Sequence, residues 1–395
     1  MHYAVPRILF RNQRLARLYT DVYFPDNHWL RFLAKISPTK KVAGQMARYK
    51  TDIPDDWIRY NNFDGLVYKK ELSWARTPLE WVDAHIRAAR RLASRIATNN
   101  GDLRHLGIYG FDTGSVELFA WAAPRGCELI LEQCVAPRQT QKRVLRRLYA
   151  DAGLPEPTND LQGRDILEER EREEWRLAHQ IICPSDYVMS ELIAAGAPRD
   201  KIALVPYGVS INPPSEVQAA MAQRFKGVAR PLRVLFVGEI GLRKGALDLC
   251  AAAERLSSQE FEFVAAGNVT LPKPLADRLH SRLVLLGKCT RAQLAIEYAK
   301  ADCCVLPSYL EGSATVTYEA LSWGLPVVTT FATGSVVETG KSGFVGSAGD
   351  IEFLTQSLRR LREDMALRER MSQEALLRSI EFTIEKYAER LMGVL

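Results

Sequence analysis

The chain has 395 residues, 47% of them hydrophobic and 25% charged, with a formal net charge of +6, a globular composition too long for one ordinary core. No run of 18 apolar residues occurs, which argues against a spanning helix, and the opening MHYAVPRILFRNQ lacks the apolar core of a secretion signal, so a cytoplasmic location is expected. The seven cysteines are odd in number and scattered without a C-x2-C pair, so neither a disulfide framework nor a zinc site is indicated.

Basic residues gather at the start, where residues 1–150 hold 25 Lys and Arg against 14 Asp and Glu. In the first fifty, Arg7, Arg11, Arg14, Arg17, Arg31, Lys35, Lys40, Lys41, Arg48 and Lys50 interleave with Phe10, Tyr19, Trp29 and Phe32. Such a stretch either meets an anionic membrane surface or is an ordinary solvated face whose long side chains cover apolar neighbours. No helix-turn-helix, RNP or zinc-finger pattern accompanies it, which speaks against nucleic acid as a partner. Apolar spacing then predicts a helix over 77–98, a strand over 106–111, a helix over 116–123 and a strand over 128–134. Asp112, just past a strand end, either orients an acceptor hydroxyl or caps the next helix together with Thr113 and Ser115. A charged helix over 165–179, a strand over 181–183, a helix over 186–195 and a strand over 202–206 follow. Residues 208–230 contain Pro213, Pro214, Ser215 and Gly227 and no strand pattern, and read as an interdomain linker carrying one helix.

A second alternating domain starts at Pro231, with strands expected over 232–238, 262–267 and 282–287 and a turn plus helix in LGKCTRAQLAIEYAKAD. Residues 303–306 are apolar and β-rich, Gly312 and Ser313 open a turn, and 315–323 has helical spacing with Val316, Ala320 and Trp323 on one face. Gly324 ends that helix and 325–330 is a buried strand, so the unit is βαβ and its loop lies at the carboxyl end of a parallel sheet, where such sheets bind ligands. GKSGFVGSAGD reads as a glycine-rich turn, with helices filling the remainder. Two carboxylates stand eight residues apart, Glu311 in the loop and Glu319 in the helix. Glu319 sits beside Ala320 and Leu321, which pack, so its charge calls for a partner or a ligand. A carboxylate accepts from both hydroxyls of a vicinal diol, and the amides of Gly312, Ser313 and Ala314 at a helix start suit an anionic or hydroxyl-rich ligand. No G-x-G-x-x-G follows an expected strand, which disfavours a dinucleotide oxidoreductase.

The E-x7-E pattern with its following G-x-P-V-V strand resembles the donor site of retaining glycosyltransferases of the GT-B fold, family 4 (glycosyl transferases group 1). The strand ending in P-S, the later P-Y-G-V, and the G-x5-K-G turn from Gly238 to Gly245 are similar too. The likeness covers about residues 165–350 and is weak over the first hundred. It implies an α/β protein with two Rossmann-like domains facing a central cleft. Residues 1–210 would form the acceptor side, joined by the C-terminal segment 380–395, and 211–379 the nucleotide-sugar side. It implies retaining transfer of a sugar from a UDP- or GDP-linked donor to a hydroxyl of a glycan or lipid-linked acceptor, in glycan, polysaccharide or glycolipid synthesis, at or near the inner face of a membrane. No cofactor and no metal are expected, since the chain has no D-x-D triplet. Lys244 and Arg243 would hold the leaving diphosphate and, with Glu311, form the catalytic set. Glu311 would bind the donor sugar hydroxyls and Glu319 the ribose, with Gly312, Ser313 and Ala314 offering amides. Gly238 and Glu239 border the phosphate turn; many members carry an Arg where this chain has Glu239, and Arg243 supplies a cation nearby. Cys289 would touch the base through its backbone, and Asp112 marks the acceptor side. A non-catalytic nucleotide-sugar-binding protein and a GT-B epimerase share the same pattern.

Overall fold

A computed structural model describes residues 3–25, 51–99, 106–212, 214–225 and 230–395. Twelve strands are described: β1 (Leu18–Thr20), β2 (Ile58–Tyr60), β3 (Gly107–Phe111), β4 (Glu128–Glu132), β5 (Gln180–Cys183), β6 (Ile202–Leu204), β7 (Leu232–Val237), β8 (Phe261–Ala266), β9 (Val284–Gly287), β10 (Cys303–Leu306), β11 (Val327–Thr330) and β12 (Gly343–Gly346). They form a parallel pair β1-β2, a sheet ordered β3-β4-β5-β6 and a sheet ordered β12-β11-β10-β7-β8-β9, with every pairing parallel. Parallel strands require crossovers, and helices supply them between β3 and β4, β4 and β5, β5 and β6, β7 and β8, β8 and β9, and β10 and β11.

The six-stranded sheet is covered on both faces, as its continuous apolar runs demand. On β7, Val234 and Phe236 join a core with Leu249 and Leu358, while Leu235 and Val237 join a second core with Tyr298, Ala320 and Leu321. The chain runs outward from β7 through β8 and β9, then returns to β10 on the other side, which puts a topological switch between β7 and β10. The four-stranded sheet packs Leu129, Leu131, Ile181 and Cys183 against Phe119, Trp175 and Leu192. The last helix, Ile384–Met392, lays Tyr387 and Leu391 on Ile130, Ile182 and Val205 of that first sheet, beside Val5 and Ile8 of the helix Ala4–Arg11.

Several elements differ from expectation. GFVG is a strand, not part of a turn: β12 pairs with β11 at the sheet edge, Val327 opposite Gly343 and Thr330 opposite Gly346, and its two glycines hide the strand pattern. The charged helix begins at Thr158, seven residues before 165, and runs to Leu177. Helices Asn62–Trp74 and Arg138–Asp151 were not expected; the second, RQTQKRVLRRLYAD, has so few apolar residues that tertiary packing of Leu145 and Leu148 sets its face. The basic start is partly consumed internally, with Arg7 and Arg11 on Asp52 at 2.9 and 2.7 Å and Arg14 donating to the Leu395 carbonyl at 2.8 Å. Arg31, Lys35, Lys40, Lys41, Arg48, Lys50, Trp29 and Phe32 lie outside the described residues. Among the described residues, no helix is long and apolar enough to cross a membrane.

Candidate functional site

The loop after β7 and the loop after β10 leave the sheet at the switch point, and each carries part of the expected site. After Gly238 the chain makes a short 3-10 turn, Leu242–Lys244, capped by Gly245 at φ 71. That left-handed backbone favours glycine, and a Cβ there would also lie 2.2 Å from the Pro307 carbonyl oxygen, so the K-G pair is fixed by contact with the neighbouring loop. The two loops are then tied together. The Tyr309 amide donates to the Arg243 carbonyl at 2.9 Å, and the Arg243 guanidinium donates to the Leu310 carbonyl at 3.1 Å.

This wrapping brings Glu311 onto both cations: its Oε1 stands 2.7 Å from Lys244 Nζ and 3.0 Å from an Arg243 terminal nitrogen. The Lys244 and Glu311 side chains are only 11% and 12% exposed while Arg243 is 37% exposed, so a largely desolvated Lys–Glu pair carries a second, partly solvated cation, with net positive charge. The lysine stem passes beside Gly238, its Cε 3.6 Å from where a side chain would begin. Glu239 points along the same loop, its carboxylate near Gly241.

Glu319 lies on the far side of the loop, in the helix Thr315–Ser322, and accepts from the Tyr298 hydroxyl at 3.0 Å. Burial pushes its pKa up, with the tyrosine hydrogen bond and Arg291 acting the other way. Tyr298 and Arg291 belong to the helix Arg291–Lys300, whose capping box at Thr290 follows directly on Cys289. This helix therefore turns Arg291 and Tyr298 toward Glu319, with Cys289 just before its cap. The expected amide cradle is smaller than three: the Ala314 amide donates to the Thr333 carbonyl at 3.2 Å and is not available to a ligand. The Ser313 hydroxyl is engaged as well, with Tyr318 Oη at 2.6 Å and the Gly334 carbonyl at 2.9 Å.

Asp112 does not cap the helix that follows it, Val116–Ala122. The Thr113 and Ser115 amides donate instead to the Glu174 carboxylate, at 2.6 and 2.7 Å, so a buried residue of the charged helix satisfies that N-terminus. Asp112 accepts from the Cys134 amide at 3.2 Å and pairs with Arg138 at 2.9 Å, which ties the ends of β3 and β4 to the helix Arg138–Asp151. Next to it is a buried acidic group that sequence reasoning missed. Glu132, 4% exposed, accepts from Tyr109 and Tyr207 hydroxyls at 2.7 and 3.0 Å, and burial raises its pKa. Glu171 and Glu174 are likewise pushed up by burial, to about 7 and about 8.

The two halves of the site meet at Gly312. A Cβ on that residue would lie 1.8 Å from the Cys134 carbonyl oxygen, so the loop after β10 reaches the end of β4 at backbone distance. Ser185, the serine of the P-S pair, donates to the Gly312 carbonyl at 2.5 Å while its oxygen caps the helix Asp186–Ala194. Leu310 is packed into the core of the first sheet. Tyr298 and Ser185 are the contributors that the sequence left unassigned; P-S at a strand end was visible, but its partner across the chain was not.

Comparison with known proteins bears on the fold and on the second half of the chain. Residues 231–364 match the family model described as glycosyl transferases group 1. The sulfoquinovosyl transferase SQD2 of Arabidopsis thaliana is 31% identical over 205 residues, 49% of this chain and 40% of that protein. A D-inositol 3-phosphate glycosyltransferase of Xylanimonas cellulosilytica is 31% identical over 213 residues, 48% of each. The chain thus spans less than half the length of these two relatives. Among solved structures, Anabaena HepE in complex with UDP and glucose superposes with a TM-score of 0.58 at 16% identity, covering 96% of this chain and 98% of that one. Sucrose-phosphate synthase from Thermosynechococcus elongatus does so with a TM-score of 0.58 at 17%, covering 98% and 90%. Residues 231–364 are therefore similar to the glycosyl transferases group 1 family, and the chain has the GT-B fold.

Proposed function

We propose that the protein is a glycosyltransferase that moves a sugar from a nucleotide-sugar donor to an acceptor hydroxyl with retention at the anomeric carbon. The observation that carries this reading is the Lys244–Glu311–Arg243 cluster at the switch point, held against the end of β4. Its excess positive charge, in a mostly desolvated crevice, suits a diphosphate. An arriving diphosphate competes with Glu311 for the two cations, and the released carboxylate then accepts from donor sugar hydroxyls. As the bond from the anomeric carbon to the diphosphate breaks, Lys244 and Arg243 meet the charge that develops on the leaving oxygen. The acceptor hydroxyl bonds to the same carbon on the face that the diphosphate leaves, and its proton passes to the departing diphosphate oxygen. Glu319, held by Tyr298, takes the ribose hydroxyls at the Cys289 end. The relatives and the UDP-bound neighbour support a nucleotide-linked donor, and the acceptor is a hydroxyl of a glycan or a lipid-linked glycan.

The test is a thermal-shift panel of UDP, GDP and their sugars, because a ligand that binds only the folded state raises apparent stability by mass action. At a hundred times Kd the gain is about 2.7 kcal/mol. The reading expects one nucleotide class to raise Tm, in EDTA as well as in magnesium, followed by acceptor-dependent release of that nucleotide. No shift from any of them overturns it, and product formed without an acceptor favours an epimerase.

A further inference from the structure

Among the described residues, one face of the first domain is left uncovered, and the site does not use it. The helix Asn62–Trp74 packs its acidic side inward on the helix Pro78–Asn99: Asp64 pairs with Arg95, and Glu71 pairs with Arg87 at 3.0 Å and Arg91 at 2.8 Å. Its opposite side is apolar and basic. Phe63 is 71% exposed, Leu66 64% and Trp74 67%, and with the exposed Lys70 they recur at the i, i+3, i+7, i+11 spacing of a single helical stripe. The Lys70 ammonium sits 4.4 Å from the Trp74 ring centroid, and Lys69 is exposed beside it. Trp81, 57% exposed, continues the surface past the turn, its indole N–H donating to the Ala75 carbonyl at 3.3 Å, and Arg76 is exposed between the two tryptophans. The nearby Glu80 carboxylate is drawn onto the Arg76 and Thr77 amides.

From this surface we propose that the stripe of Phe63, Leu66, Lys70 and Trp74, with Trp81, docks the protein on an anionic lipid bilayer. Tryptophan and lysine together suit the headgroup boundary, where an apolar body is buried and a polar or charged end stays wet. The lysines favour acidic headgroups, whereas a second copy set on the same face would bring like charges together. The acids of the helix are paired on its inner side, and the charge on its outer stripe is that of Lys70. This places the contact on a structured helix and not on the arginines at the chain start, two of which are already bound to Asp52. Vesicle binding needs no sugar chemistry, so this proposal stands or falls separately from the transfer reaction.

The full chain is sedimented with vesicles of phosphatidylcholine alone or mixed with phosphatidylglycerol, at low and high salt. The expected result is binding to the mixed vesicles only, weakened by salt because exposed charges beyond about 8 Å are screened at physiological ionic strength. The pair Phe63→Ser with Trp74→Ser should weaken binding about tenfold or more, and Lys70→Ser roughly fivefold, the worth of a basic residue near an anionic leaflet. The triple change Arg11→Ser, Arg14→Ser, Arg17→Ser should alter it by less. All of these side chains are at the surface, and circular dichroism checks that each variant remains folded. Equal sedimentation of wild type and stripe variants, no preference for the anionic lipid, or a change of oligomeric state in light scattering when the stripe is altered would each overturn the proposal.

Discussion

Lys244 and Glu319 are separated by 75 positions, and under the proposed reaction each has a specific consequence when removed. Lys244→Ala leaves Glu311 on Arg243 alone and takes away a cation aimed at developing charge; Glu319→Ala leaves Tyr298 without its acceptor. Each change is expected to lower transfer by on the order of a hundredfold, the scale of losing one electrostatic stabiliser, with unchanged circular dichroism. Near-normal rates in either variant would remove that residue from the site. Glu132 offers a pH test. Its folded pKa is raised, so above the ordinary carboxylate range the unfolded chain releases a proton that the folded chain keeps, and stability falls as pH rises through that window. Glu132→Gln removes this penalty while both tyrosine hydroxyls keep a partner. Urea denaturation at pH 5 and pH 8 should therefore favour the glutamine variant more at the higher pH, by about 1.4 kcal/mol for each unit by which the pKa is raised. The E-x7-E and G-x5-K-G patterns were legible because each is local. Tyr298 was not, since nothing in its own helix announces which carboxylate it will meet.

Elements were legible where hydrophobic periodicity is strong and were missed where it is not. β7, β8, β10 and β11 are continuous apolar runs and came out nearly as read, whereas Arg138–Asp151 and β12 carry too little pattern of their own. The last helix shows how an element is stabilised by a sheet distant in the chain. Leu391 is fully buried among Val5, Ile8, Ile130, Ile182 and Val205. Leu391→Ala should cost about 2–5 kcal/mol, as cavity-forming changes do, read as a lower urea midpoint. A loss below the usual surface range would mean that the helix adds little to the first domain.

At the scale of the whole molecule, the decisive contact is Gly312 against Cys134. The neighbouring carbonyl belongs to backbone at the end of β4 and has little room to give, so Gly312→Ala must push the two sheets apart locally. The donor loop would still present Lys244, Arg243 and Glu311. The expected outcome is a retained nucleotide-induced thermal shift with transfer reduced by on the order of a hundredfold, because small misplacements of reacting groups are costly. A variant with normal turnover would show that this approach is not needed for the reaction.

The sequence alone determined the alternation of strands and helices and the positions of the glutamates, lysine and glycines in the later half of the chain. All of these follow from local propensity, turn chemistry and spacing. What only the tertiary structure decided is which of these groups meet. The wrapping of one loop on another placed Glu311 on Lys244 and Arg243, gave the helix start after β3 to Glu174 and not to Asp112, occupied the Ala314 amide, and left one face of the helix Asn62–Trp74 uncovered. Such pairings join residues tens of positions apart, and the geometry that selects them exists only once both sheets have formed and packed.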